Sequence, residues 1–147
     1  RGLGDVYKRQ KHQRREFYRF SCILNMSSRE LVEEELSAIE QNKQYIQAGL
    51  PLRQSVVVDI SGGGIRFVSD YKYENGTLIY LTYNLSSEKI QKTYNLVGKI
   101  LSVKELENRR GTFEHRVQYI NIDNQQREEI IRYIFEEERK NRQRKNG

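Results

Sequence analysis

The sequence predicts a mainly β fold, with six short strands in antiparallel order and one C-terminal helix. Three observations point there. Apolar and β-branched residues alternate with a period of two in several separate runs. Glycine and asparagine turns separate those runs, and helical spacing is confined to one stretch after the first strand and one near the end of the chain. Short strands joined by short turns argue for a barrel or a sandwich rather than an α/β architecture.

Phe17 to Met26, rich in aromatic and aliphatic residues, reads as the first strand. Ser27 or Ser28 then opens a stretch in which Leu31, Leu36, Ile39, Tyr45 and Ile46 recur at loosely helical spacing, and Gly49 and Pro51 end it. A helix over roughly 28–48 is therefore expected, long for a connection between strands, lying outside the sheet as an insertion or forming a mobile arm. Ser55-Val56-Val57-Val58 is the second strand, and Ile65-Arg66-Phe67-Val68, after a glycine turn, the third. Asn75-Gly76 turns the chain into Leu78–Leu85, where Ile79, Leu81, Tyr83 and Leu85 share a face. Thr93–Val103 follows with Gly98 inside it, which predicts a bulge or a barrel bend. Asn108–Gly111 turns into Thr112–Ile122, with Phe113, Val117 and Tyr119 on one face. Asp123, with Gln126 three residues on, forms an approximate capping box for the last helix. Its stripe of Ile130, Ile131, Ile134 and Phe135 is expected to pack on the strands, and beyond Phe135 the wholly charged helix is expected to leave the body.

The 147 residues suffice for one domain with one core. No run approaches the roughly 18 apolar residues of a membrane span. Cys22 is the single cysteine, so no internal disulfide forms and a cytoplasmic setting is expected. With two histidines and no His/Cys cluster, neither a metal nor a cofactor is expected. The net charge of +6 is uneven: residues 1–19 and 139–147 each carry +5, and 20–138 carry −4. The basic ends read as solvated tails; residues 139–147 have no interleaved aromatics for stacking on nucleic acid, so no specific nucleic-acid partner is expected. Catalysis has little support. His115 lies on the apolar face of a strand, His12 precedes the first strand, and Glu33, Glu34 and Glu35 read as a wet helix face. No catalytic residue is assigned. Asp5-Val6-Tyr7-Lys8-Arg9-Gln10 resembles a translated sequencing adaptor, so residues 1–10 are expected to be an assembly artefact. The chain is then expected to be a piece of a longer protein. Residues 11–19 read as an arginine-bearing arm or interdomain linker, and 20–147 as the folded domain.

Two short motifs hold the chemistry. Arg14, Arg15 and Arg19 form an Arg-Arg-x-x-x-Arg cluster just before the first strand. A guanidinium fork matches the O6/N7 edge of guanine or a pair of phosphate oxygens, and its flat face stacks on a base. Asp59, Ser61 and Gly64 form an Asp-x-Ser-x-x-Gly turn after the second strand. A carboxylate there can accept from the N1 and N2 donors of guanine, Ser61 and the bare glycine N–H groups can donate to phosphate, and Gly64 is expected at positive φ. Alone, the first motif reads as a basic linker and the second as a turn.

Together, these motifs resemble the PilZ domain family of bacterial cyclic di-GMP receptors. The resemblance covers roughly residues 11–145, with "DISGGGIRFVS", "NGTLIYLTYNL", "LVGKILSV", "HRVQYINI" and "QQREEIIRYIFEEERKNR" matching successive family segments. It implies a six-stranded antiparallel PilZ-type β-barrel with a C-terminal helix; the helical stretch after the first strand is a departure. It further implies that Arg14, Arg15 and Arg19 bind guanine and phosphate groups of cyclic di-GMP, with Asp59, Ser61 and Gly64 as the opposing wall. By the same resemblance, Arg14, immediately before the Arg-x-x-x-Arg core, implies two stacked cyclic di-GMP molecules per domain. The role implied is second-messenger signalling in motility or biofilm control, as in flagellar-brake proteins. The arm would order on ligand binding and relay to an upstream domain or to a protein partner such as the flagellar motor or exopolysaccharide machinery. A PilZ-like adaptor that binds no nucleotide, and general nucleic-acid binding through the basic ends, are the alternatives.

Overall fold

The computed structural model describes residues 17–146. Six strands run in order: β1 (Phe20–Glu30), β2 (Arg53–Ile60), β3 (Gly64–Ser69), β4 (Leu78–Ser86), β5 (Gln91–Leu106) and β6 (Arg109–Tyr119). A short helix, α1 (Glu33–Glu40), follows β1, and a long one, α2 (Asn124–Asn146), follows β6. The strands close into a ring ordered β1-β2-β3-β6-β5-β4, every neighbour antiparallel. Of barrel and sandwich, the chain forms the barrel.

Alternation places the core as the sequence predicts. Ile79, Leu81, Tyr83 and Leu85 of β4 are buried, as are Phe67, Leu96, Ile100, Val117 and Tyr119. Each such side chain contributes roughly 1.5–3 kcal/mol by leaving water. Asp123 caps α2 as predicted: the Gln126 amide donates to Asp123 Oδ1 at 2.7 Å, and the Asp123 amide donates to Gln126 Oε1 at 3.1 Å. The stripe of α2 is rotated from the expected one. Ile130, Tyr133 and Ile134 enter the core, whereas Phe135 is half exposed. Contact with the body also runs past Phe135, since Ser87 Oγ donates to Glu136 at 3.0 Å. Gly98 sits in regular pairing with Ile79, and the bulge of β5 falls at 100–102 instead. A Cβ at Gly98 would collide with the Val117 side chain, so close packing, not a bulge, requires the glycine.

The stretch after β1 departs most from expectation. The predicted helix over 28–48 is an eight-residue helix, and β1 continues through Ser27, Ser28, Arg29 and Glu30. The reason is an interior polar cluster that looks solvent-facing in sequence. Arg29 Nη1 and Nη2 donate to Glu35 Oε1 and Oε2 at 2.7 and 2.6 Å. The amides of Val32 and Gln47 donate to the same two oxygens at 2.8 Å each. Both side chains are almost wholly buried, so Glu35 is no part of a wet face. The Arg29 guanidinium lowers the Glu35 pKa to about 2. Asn42, at φ 58, turns the chain out of α1, and Gln47 is held back against Arg29. The insertion is thereby fastened to the barrel near its base.

His115 is packed, as its strand position predicts. It stacks on Phe67 at 4.5 Å, and its Nε2 accepts from the Tyr73 amide at 3.1 Å. Burial holds its pKa down at about 4, against an ordinary 6.5.

Glu35→Gln, which leaves Arg29 buried without its counter-charge, is expected to cost about 3–5 kcal/mol in urea unfolding. The double change Arg29→Met/Glu35→Leu should cost less, because no charge is stranded. Wild-type stability should also depend on pH in two windows. Both folded pKa values are depressed, so stability is lost as pH falls: from 6.5 towards 4 for His115, and from 4.5 towards 2 for Glu35. Unfolding followed by fluorescence across these windows, with His115→Phe flattening the upper one, checks both assignments.

Candidate functional site

The site is built around the turn between β2 and β3. The Ser61 amide donates to the Gly64 carbonyl at 2.9 Å. The amides of Gly63 and Gly64 donate to Ser61 Oγ at 3.1 and 3.2 Å. The hydroxyl and these two amides are thus engaged within the turn and set its shape, rather than standing open to a phosphate. Gly64 is not in the left-handed region; among the described residues, positive-φ glycines are Gly49, Gly76 and Gly111. Gly64 is required for a different reason. Paired with Gln118 of β6, it lies so close that a Cβ would overlap the Val117 carbonyl oxygen.

Strand register brings the predicted partners together. Asp59 faces Ser21 of β1 on one side and Arg66 of β3 on the other. Arg19, one residue before β1, therefore reaches Asp59: its Nη1 lies 3.3 Å from Oδ1, across 40 residues of sequence. Arg66 Nε approaches Oδ2 at 3.5 Å. Arg14 and Arg15, the other arginines of the motif, lie outside the described residues.

The segment leading into β1 is seated on this turn at Phe17 and tied to α2 at Tyr18. A Cβ on Gly62 or Gly63 would come within 3.0 Å of the Phe17 ring, so the bare glycines form its seat. Arg127 of α2 completes the seat, its guanidinium 5.2 Å from the Phe17 ring centre and its Nε donating to the Gly62 carbonyl at 3.1 Å. Tyr18 donates to Glu138 of α2 at 2.6 Å.

A cleft of about 510 Å³ opens beside the turn. Of the motif residues, Arg19, Ser61 and Gly64 line it, and Asp59, paired with Arg19, is not part of the lining. The sequence reading missed its far wall: Arg116 and Gln118 of β6, and Arg127 of α2. The alternation of β6 marks Arg116 and Gln118 as outward-facing, but that β6 lies beside β3 is a property of ring closure, not of local pattern. Among the described residues, three guanidinium groups and no carboxylate line the cleft. Such a cavity suits a planar anion, and its volume falls within the range of about 300–1,000 Å³ usual for small-molecule sites.

Among the described residues, neither Cys22 nor His115 lines this cleft. Burial, and then Asp59, push the Cys22 thiol up to about 12, and His115 is stacked in the barrel interior. Among the described residues, no three His, Cys, Asp or Glu side chains cluster as metal ligands would, and no helix is long and apolar enough to cross a membrane.

A family model described as the PilZ domain matches residues 13–136. No curated protein sequence matches. Among solved structures, the chain is similar to the Bacillus subtilis inhibitor of motility MotI/DgrA, at 16% identity and TM-score 0.64, over 86% of this chain and 51% of that one. It is similar to Escherichia coli YcgR in complex with c-di-GMP, at 16% identity and TM-score 0.65, over 90% and 50%. The isolated PilZ domain of YcgR with c-di-GMP matches at 15% identity and TM-score 0.59, over 91% and 98%. At these identities the likeness is one of fold. The chain spans about half the length of MotI and of full-length YcgR.

Gly64→Ala should strain the β3–β6 pairing and cost ~3 kcal/mol or more in thermal or urea unfolding. Gly76→Ala tests the other reason for a glycine: its open surroundings leave only the backbone penalty of φ +86, about 1 kcal/mol.

Proposed function

The chain belongs to the PilZ domain family, and on that premise we propose that it is a cyclic di-GMP receptor domain, a binding switch and not a catalyst. The observation that carries this reading is the meeting of Arg19 and Asp59 at the edge of a cleft whose described lining holds three arginines and no acid. The two motifs are weak apart, and one residue of each thus meets its counterpart across 40 residues of sequence. Cyclic di-GMP presents flat guanine faces, acceptor edges and a negative charge on each phosphodiester, and guanidinium groups serve all three. The structures of E. coli YcgR with c-di-GMP support the same ligand class.

Arg14, Arg15 and Arg19 take the guanine and phosphate groups. Asp59, flanked by Arg19 and Arg66, aims Arg19 at the ligand and offers its remaining lone pairs to guanine N1 and N2. Ser61 and Gly64 hold the wall in shape. Arg14 supplies the extra guanidinium for a second, stacked ligand molecule. Binding draws the arginine-bearing arm over the cleft and so changes what the arm presents to an upstream domain or to a protein partner in motility or polysaccharide export.

Calorimetry with cyclic di-GMP tests this. A Kd well below about 100 μM, the equivalent of roughly −5.5 kcal/mol, and selectivity over GTP are expected. Arg15→Ala and Asp59→Ala should each weaken binding about tenfold or more while leaving the unfolding midpoint near wild type. No binding at that threshold, or variants that unfold the barrel instead, would sink the reading.

A further inference from the structure

We propose that Arg127, on the C-terminal helix, is itself a ligand-contacting residue, which makes α2 a wall of the anion site. The inference rests on the same cleft as the proposed function but not on the identity of the nucleotide. Arg127 lines the cleft together with Arg19 and Arg116, yet it belongs to neither sequence motif. Its side chain is already oriented. The Nε–H is spent on the Gly62 carbonyl, and the guanidinium plane lies near the Phe17 ring. Among the described residues no hydrogen bond engages the two terminal Nη groups, whose donors can face an incoming phosphate or carboxylate. A guanidinium fixed in this way loses little rotamer freedom on binding, so more of its interaction appears as affinity.

The position also has a consequence for α2. Arg127 is one turn from Ile130 and Ile131, which pack the helix onto the body. An anion held by Arg127, Arg19 and Arg116 bridges α2, the chain leading into β1, and β6. Occupancy would therefore tighten the first turns of the helix against the barrel.

The test uses the whole chain and two probes, cyclic di-GMP and inorganic pyrophosphate. Binding is followed by calorimetry and by the amide resonances of Gly62, Gly63 and Gln118. Arg127→Gln should weaken whichever probe binds by about ten- to a hundredfold, and its affinity should fall less steeply with salt than that of wild type. Arg127→Lys should recover part of the loss. Arg132→Gln removes the same charge from an exposed position of the same helix and should stay within about twofold of wild type. In wild type, bound ligand should slow hydrogen exchange in the first turns of α2. Binding by Arg127→Gln within about twofold of wild type, or weakened binding with an unchanged salt dependence, would overturn the assignment, because Arg127 would then act only as a prop for Phe17. Pyrophosphate binding that depends on Arg127, without cyclic di-GMP binding, would overturn the proposed function and uphold the residue. Binding of neither probe would overturn both.

Discussion

The close approach of β3 to β6 is the constraint on which the site depends. The third strand pairs with the last, and Gly64 meets the Val117 carbonyl at a distance that no Cβ permits. On the other side of the same residue, the Val117 side chain fills the space left by Gly98 of β5. Val117 is thus held between two glycines, one for its backbone and one for its side chain. This local compression lets the ring close with a buried interior. It also places the Ser61–Gly64 turn directly against Arg116 and Gln118, so that a turn from the first half of the chain and a strand from the second form one cleft.

Within that frame, Asp59 organises the charges. It pairs with Arg19 and Arg66 through different oxygens, so its negative charge serves the arginines and leaves the cleft lining positive. Arg19 is 45% exposed. An ion pair so accessible is worth about 1 kcal/mol or less, because water and salt compete for it. Arg19 is therefore oriented without being trapped, and a phosphate oxygen entering the cleft can replace one carboxylate oxygen at small cost.

Much of the fold was legible because alternation follows from burying one face of a strand. The faces of β4 and β6 and the Asp123 cap of α2 follow directly from that pattern and from cap chemistry. The segment after β1 was misread for a definite reason. Arg29 and Glu35 satisfy each other in the interior, as Ser28 and the Tyr73 hydroxyl do, and a pattern that assigns polarity to solvent cannot see such pairs. The motif half of the site was legible because arginine, aspartate and glycine carry their chemistry in their type. Arg116, Gln118 and Arg127 were not, since their role comes from a strand pairing and a helix docking that no local window contains. Even where a residue was identified, its reason could differ. Gly64 serves close approach rather than a positive φ, and Ser61 serves the turn's own amides.

Two of the arginine–carboxylate pairs, Arg29–Glu35 and Arg19–Asp59, show how one chemistry yields two behaviours. Arg29 and Glu35 are buried, bidentate and joined by two backbone amides, so separating them strands a charge in a medium that cannot solvate it. That pair fastens the insertion and has no cheap alternative state. Arg19 and Asp59 touch through one contact at 3.3 Å at the rim of a cleft, where water or an anion can take either partner. Burial, bidentate geometry and the backbone amides together separate the fastener from the exchangeable contact. One domain thus carries both a frame that resists displacement and, at its edge, a charged residue whose present partner is easily exchanged.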